Sequence, residues 1–200
     1  MIRVWRPDLF EPLRKRVQEQ GESLPGDILK VDNFINHQVD PLLMEACGAE
    51  FARLFADTHP TKVLTAEISG IAPALMTAKY LGLPVVYARK RKPITMPDTV
   101  YLTIAPSHTK GNMVELIVSP EYLANGERVL IIDDFLASGA TIAGLVRLAQ
   151  TAGAILVGIG ALIEKTFEGG RELLSTLNIP IEALVSIASL DDGQIIFAEE

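Results

Sequence analysis

VLIIDDFLASGATIAGL, residues Val129 to Leu145, decides the fold. Val129, Leu130, Ile131 and Ile132 form an apolar, β-branched-rich run without polar alternation, which is how a strand covered on both faces of a parallel sheet reads. Asp133 and Asp134 are expected at its carboxyl end. Ala137, Ser138, Gly139, Ala140 and Thr141 follow as a small-residue loop, and Ile142, Leu145, Val146 and Ala149 then recur at helical spacing. In open α/β sheets ligands bind outside the carboxyl ends of strands, where a helix amino terminus offers unpaired N–H groups to an anion. Small side chains let backbone amides close around a phosphate, Gly139 can take positive φ, and Ser138 and Thr141 add hydroxyl donors.

The stretch has neither G-x-x-x-x-G-K-[ST] nor G-x-G-x-x-G, so it predicts neither a triphosphate P-loop nor a dinucleotide fingerprint. The acids precede the loop. A ligand with its monophosphate in the loop would set its next atoms against two carboxylates, and a ribose diol suits them because carboxylates accept hydrogen bonds from hydroxyls.

Composition bounds the rest. The chain has 200 residues, of which 48% are hydrophobic, enough for one α/β domain with a sizeable core and too few for two full domains. A formal charge of −7 speaks against a nucleic-acid surface covering much of the protein while leaving room for a local basic patch, and a small anionic partner is expected. The single cysteine, Cys47, excludes an internal disulfide and reads as a small buried hydrophobe. No stretch approaches the ~20 apolar residues of a membrane span, and MIRVWRPDLF lacks the apolar core of a signal peptide. A cytoplasmic protein is expected.

Residues 9–20 predict a modest amphipathic helix with a solvated basic face, ending at Gly21, and Ile28–Val31 a short strand. Asp32–Gln38 reads as a loop or turn. Asp40 followed by Pro41 predicts a capped helix carrying the stripe Leu43, Cys47, Phe51 and Leu54. Lys62–Ala66, then Glu67-Ile68-Ser69-Gly70 and a helix over Ile71–Leu81, repeat the strand, loop, helix logic, with Ser69 and Gly70 placed to meet a second anion. A strand over Leu83–Ala88 ends in Arg89, Lys90, Arg91 and Lys92. Val100–Ala105 and Met113–Val118 read as strands flanking a polar connection. Ile155–Ile163 reads as a strand leading into Glu164, Lys165, Thr166 and Phe167. A short helix over Gly169–Leu177 and strands over Ala183–Ala188 and Ile195–Ala198 close the chain. Strands alternating with helices predict a parallel-centred sheet flanked by helices.

The hydrophobic strand, Asp-Asp and S-G-x-T loop resemble the phosphoribosyl pyrophosphate (PRPP) motif of the type I phosphoribosyltransferases. With ILKVDNFINHQVDPLLM, EISGIAPALM and GALIEKTF, the chain resembles the bacterial xanthine transferases of that family along nearly its whole length, the first nine or so residues excepted. The resemblance implies a single phosphoribosyltransferase domain over residues 1–200, with a small hood from about 20–40 and the C-terminal segment, and a flexible lid over about 97–119. It implies transfer of 5-phosphoribosyl from PRPP to xanthine, with Mg2+, in a homodimer that binds neither nucleic acid nor membrane. Residue by residue, it places the 5-phosphate of PRPP in Ala137, Ser138, Gly139, Ala140 and Thr141, and the ribose and metal on Asp133 and Asp134. The pyrophosphate falls to Ser69, Gly70, Arg89, Lys90 and Lys92, in a loop that carries a non-proline cis peptide in the family. It places the base against Leu29, Asn36, Lys165 and Phe167, and lid contacts on Ser107, Thr109 and Lys110. Many 6-oxopurine transferases carry an aspartate in the phosphate loop near N7 of the base. Ala137 holds that position here and leaves the proton acceptor unassigned.

Two rival readings share the motif. A PRPP- or purine-sensing transcription regulator would carry an amino-terminal DNA-binding domain, and fewer than thirty residues precede Ile28 in an acidic chain. A guanine or hypoxanthine transferase is the nearer alternative. Lys165 as a pocket donor disfavours adenine, whose 6-amino group is itself a donor.

Overall fold

A computed structural model describes residues 10–106 and 113–198. The expected lid contacts Ser107, Thr109 and Lys110 lie outside the described residues. In chain order the elements are α1 (Glu11–Gln20), β1 (Glu22–Leu24), β2 (Ile28–Lys30), a single π-helical turn at Asp32–Asn36, α2 (Pro41–Phe55), β3 (Lys62–Ala66), α3 (Ile71–Leu81) and β4 (Val85–Ala88). Then come β5 (Tyr101–Pro106), β6 (Met113–Val118), β7 (Arg128–Leu136), α4 (Ala140–Thr151), β8 (Ile155–Lys165), α5 (Gly170–Leu174), β9 (Ile181–Ser189) and β10 (Ile196–Phe197).

The main sheet has six strands in the order β10-β9-β8-β7-β3-β4. All its pairings are parallel except β10 with β9. The expected α/β architecture is therefore present, and Leu130, Ile131 and Ile132 at its centre are fully buried. One face is covered by α1, α2 and α3 through Leu13, Val17, Met44, Phe51 and Ala74. The other carries α4 and the β5/β6 hairpin through Leu116, Ile142, Leu145 and Leu148. Arg147 of α4 fastens that hairpin by donating to Thr103 Oγ1 at 3.0 Å and to the Ile104 carbonyl at 2.9 Å.

Helix α2 starts as its sequence predicts: the Asp40 side chain accepts from the N–H groups of Leu42 and Leu43, both at 3.0 Å, with Pro41 next in line. Its stripe is broader than expected, since Phe55 is fully buried where Leu54 is only half-buried. Phe51 and Phe55 fill the space left by two glycines of β8: a Cβ on Gly158 would lie 2.6 Å from the Phe55 ring, and one on Gly160 2.9 Å from Phe51. Cys47 is buried on the same stripe, and burial pushes its thiol pKa up. Its reading as an inert core residue stands.

The central strand runs further than its apolar core. Asp133 and Asp134 sit inside β7, not beyond it, because pairing with β8 continues through Phe135↔Ile163 and Leu136↔Glu164. Ladder hydrogen bonds use only the backbone, so a strand can carry carboxylates where its side chains face a crevice. β8 is likewise longer than the expected Ile155–Ile163 and takes in Glu164 and Lys165. Strand order reverses between β3 and β7: the chain steps outward from β3 to β4 on one side and from β7 through β8 to β9 on the other. Loops leaving the carboxyl ends of these two strands diverge, which opens the crevice where ligands of such sheets bind.

Candidate active site

A cavity of about 660 Å³ occupies that crevice. Its walls come from four places: the loop after β3, the end of β7 with the loop into α4, the end of β8 facing the β1/β2 turn, and the β5/β6 hairpin through Ala105, Pro106, Val114 and Leu116.

The first wall is Glu67, Ile68, Ser69 and Gly70, with a cis peptide between Glu67 and Ile68. The cis bond that the resemblance implied is present. Gly70 has an ordinary helical φ of −66°, so its role is room and not backbone freedom: a Cβ there would collide with Thr65 Oγ1 and Asp133 Oδ1. Thr65 is fully buried and its hydroxyl has no protein partner among the described residues, a feature that nothing in the sequence marks. Glu67 ties this loop to the basic run after β4, accepting from the Lys90 N–H at 2.8 Å and meeting Arg89 Nε at 3.2 Å. Lys90 lines the cavity. Arg89 and Lys92 do not; Arg89 is held by Glu67 and lies over the Tyr87 ring, while Lys92 reaches toward Asp98.

The second wall is Asp133, Asp134, Phe135, Ala137, Gly139, Ala140 and Thr141. Gly139 takes φ +76° and caps α4, the positive φ expected of it. Ser138 belongs to the loop without lining the cavity. Asp133 is buried and accepts from the Asp134 N–H at 3.1 Å. Burial first, and then the charge of Asp134, hold the Asp133 carboxyl well above its ordinary value, with Lys90 opposing. Burial also raises Asp134, against hydrogen bonds from Asp133, its own and the Phe135 backbone, and Ser69. Two adjacent carboxylates, Asp133 buried and Asp134 partly so, need a countercharge or hydroxyl partners to ionise fully.

This pair makes the ligand-free protein less stable as pH rises. Below an ordinary carboxyl pKa of 3.8 folded and unfolded chains are both protonated, and the pair costs nothing. As pH rises from there through the folded value, only the unfolded chain ionises freely. Stability is then lost at about 1.4 kcal/mol for each pH unit separating the folded from the unfolded pKa. In ligand-free, metal-free buffer Asp133→Asn is therefore expected to raise the thermal midpoint at pH 7 by about 2–4 °C or more, with the gap closing toward pH 4. Melting curves of the two proteins at both pH values check this, and a gap that is the same at both rejects it.

The third wall faces the other two. Lys165 ends β8 and is 7% exposed; its ammonium donates to the Asp27 carbonyl at 2.6 Å and to Glu168 Oε1 at 3.0 Å, 5.9 Å from the Phe135 ring centroid. Asp27 stands in the β1/β2 turn at φ +59°. Leu29 from β2, Asn36 from the π-helical turn and Phe167 beyond β8 complete this end. Residues from two stretches far apart in sequence, Leu29 and Asn36 from one and Lys165 and Phe167 from the other, thus line one cavity. Glu168 and Phe135 join them without having been singled out from sequence. The only local hint was their adjacency to Phe167 and Asp134.

The second and third walls also touch. The Gly170 N–H donates to the Ala137 carbonyl at 3.0 Å, and a Cβ on Gly139 would lie 3.1 Å from Gly170 Cα. The turn that follows Lys165 is thereby seated directly on the small-residue loop.

With this geometry the chain can be set beside known proteins. A family model described as the phosphoribosyl transferase domain matches residues 39–176. The chain belongs to the phosphoribosyl transferase family. A xanthine phosphoribosyltransferase of Levilactobacillus brevis is 48% identical over 188 residues, 94% of this chain and 98% of its own length. Its counterpart from Deinococcus deserti is 50% identical over 183 residues, covering 92% and 95%. The crystal structure of adenine phosphoribosyl transferase from Trypanosoma brucei in complex with AMP, pyrophosphate and ribose-5-phosphate superposes with a TM-score of 0.71. It is 23% identical, covers 88% of this chain and 79% of its own, and speaks to the fold alone. The architecture expected from Val129–Leu145 is thus that of the phosphoribosyltransferases.

Proposed function

We propose that this protein transfers the 5-phosphoribosyl group of PRPP to N9 of xanthine, giving xanthosine 5'-monophosphate and pyrophosphate in purine salvage. The observation that carries the reading is one crevice lined by two strand-to-helix loops, the adjacent carboxylates Asp133 and Asp134, and Lys165. The near-half identity to xanthine phosphoribosyltransferases over almost their full length supports xanthine as the base.

In this reading the 5-phosphate lies in Ala137–Thr141, where the α4 amino terminus and the loop amides meet its charge. Pyrophosphate lies at Ser69, Gly70 and Lys90, with Arg89 and Lys92 within the same basic run. Asp133 and Asp134 accept from the ribose hydroxyls and steady the positive charge that grows on the sugar ring as its bond to pyrophosphate breaks. Lys165 donates to the 6-oxo group, Phe167 packs on the ring, and Leu29 and Asn36 meet the 2-oxo side. Ser107, Thr109 and Lys110 belong to a lid over about 97–119 that excludes water on closure.

The donor set suits Mg2+ in one way. Among the described residues no group of three or more acidic, histidine or cysteine side chains could cage a metal, and Mg2+ commonly uses one or two carboxylates together with substrate phosphates and water. Asp133 and Asp134 are the residues that would hold it, and it would neutralise the departing diphosphate.

One domain over the chain, with a hood from about 20–40 and the C-terminal segment, fits the contact of Ser23 Oγ with the Leu190 carbonyl at 3.1 Å. A homodimer is supported by exposed apolar side chains on and around α3 and β4, including Ile68, Leu75, Tyr80, Tyr87 and Ile94. No helix among the described residues is long and apolar enough to cross a membrane, and a lone buried thiol suits a reducing compartment such as the cytoplasm.

Incubation of the purified protein with PRPP, Mg2+ and each of xanthine, guanine, hypoxanthine and adenine tests the reading. Xanthine is expected to be converted fastest and adenine slowest. Absence of turnover with all four bases rejects it.

A further inference from the structure

We propose that Glu168 is a specificity-determining residue that accepts the N1–H of the purine while Lys165 donates to the neighbouring 6-oxo group. The inference rests on the base-transfer reading above. An ammonium has three donors; two of those on Lys165 are taken by the Asp27 carbonyl and Glu168 Oε1, and one remains for a ligand. Glu168 lines the same end of the cavity, and its carboxylate lies 3.0 Å from the lysine nitrogen. A donor and an acceptor that close together match the adjacent C=O and N–H of a lactam, which is the O6/N1 edge of a 6-oxopurine. A carboxylate accepts at about four lone-pair positions, so the contact to Lys165 does not by itself exhaust it.

The two side chains are held rigidly enough to read that edge. Lys165 is pinned from the β1/β2 turn on one side, and Glu168 closes a single 3-10 turn, Thr166–Glu168, directly after β8. Gly170, two residues on, is seated on the Ala137 carbonyl, so the turn cannot drift from the loop that takes the sugar phosphate. Adenine presents the opposite pattern, an acceptor at N1 beside a donor at C6, and would leave both Lys165 and Glu168 facing like groups. Along the base edge the order becomes Lys165 at O6, Glu168 at N1 and Asn36 at the 2-position.

The test compares xanthine with 1-methylxanthine, which keeps O6 and lacks the N1–H, by kcat/KM at saturating PRPP. Wild type is expected to prefer xanthine by about 10- to 100-fold, the worth of a hydrogen bond to a charged group. Glu168→Ala is expected to narrow that preference to a few-fold, because both the acceptor and its bulk are gone. Glu168→Asp, which withdraws the carboxylate by one methylene, should narrow it part of the way and serves if the alanine variant folds poorly. A residue that merely held Lys165 in place would lower both substrates by the same factor and leave the preference unchanged. Turnover of xanthine by wild type with an unchanged preference in both variants overturns the Glu168 role alone, while no turnover of any base by wild type overturns the base-transfer reading and this inference with it.

Discussion

Asp134→Ala is expected to lower kcat/KM for PRPP by about 100-fold or more while leaving the fold intact. Loss of two hydroxyl-to-carboxylate bonds at about 1.5–3 kcal/mol each accounts for that size, since every 1.4 kcal/mol is about tenfold. The protein should tolerate the change because burial already raises the Asp134 pKa: the carboxylate is poorly accommodated when the site holds no ligand, and relief of that cost offsets the loss of local bonds such as the one it accepts from the Phe135 N–H. Steady-state kinetics with PRPP varied at fixed xanthine, beside a melting curve, measure both halves. An Asp134→Ala protein with wild-type PRPP kinetics would remove the carboxylate pair from the reaction.

The second large effect belongs to the opposite end of the crevice. Lys165→Ala is expected to raise the KM for xanthine about 10- to 100-fold, the cost of a lost charged donor, while the KM for PRPP changes little. Lys165 is nearly buried and bonds to both Asp27 and Glu168, so the deletion also strips partners from those two. Lys165→Met keeps a buried stem of similar length and separates loss of the donor from loss of packing. Comparable damage to both substrates by Asp134→Ala and Lys165→Ala alike would count against a division of the crevice into a sugar-phosphate end and a base end.

Local chemistry explains why much of this was legible. An uninterrupted apolar run, a small-residue loop and a helical stripe are each encoded within a few residues, and Val129–Leu145 contains all of them. Asp40-Pro41 capped its helix as expected because a cap is a contact between neighbours. The end of β7 was misplaced for an equally local reason. Hydropathy turns at Ile132, but the ladder that defines the strand depends on β8, thirty or so residues later, and runs on to Leu136.

Long side chains were the least legible. Arg89, Lys90 and Lys92 look alike in sequence, and only the Glu67 carboxylate, brought alongside by the parallel pairing of β3 with β4, separates Lys90 at the cavity from Arg89 beside it. Flexible stems reach several partners at similar cost, so composition cannot choose among them. Gly70 serves by being small, as its ordinary φ and the crowding of Thr65 and Asp133 around its missing Cβ show.

By itself the sequence determined the family resemblance, the α/β class, the two strand-loop-helix units and the acid pair, because each is carried by consecutive residues whose conformational preferences agree. Tertiary structure alone decided that β3 and β7 are neighbours at the point where strand order reverses, and that Lys165 meets Asp27 across the chain. It also seated Gly170 on the loop that precedes α4. Those pairings join residues tens to more than a hundred positions apart. Their geometry follows from sheet register and the packing of two cores, which no short stretch of the chain encodes.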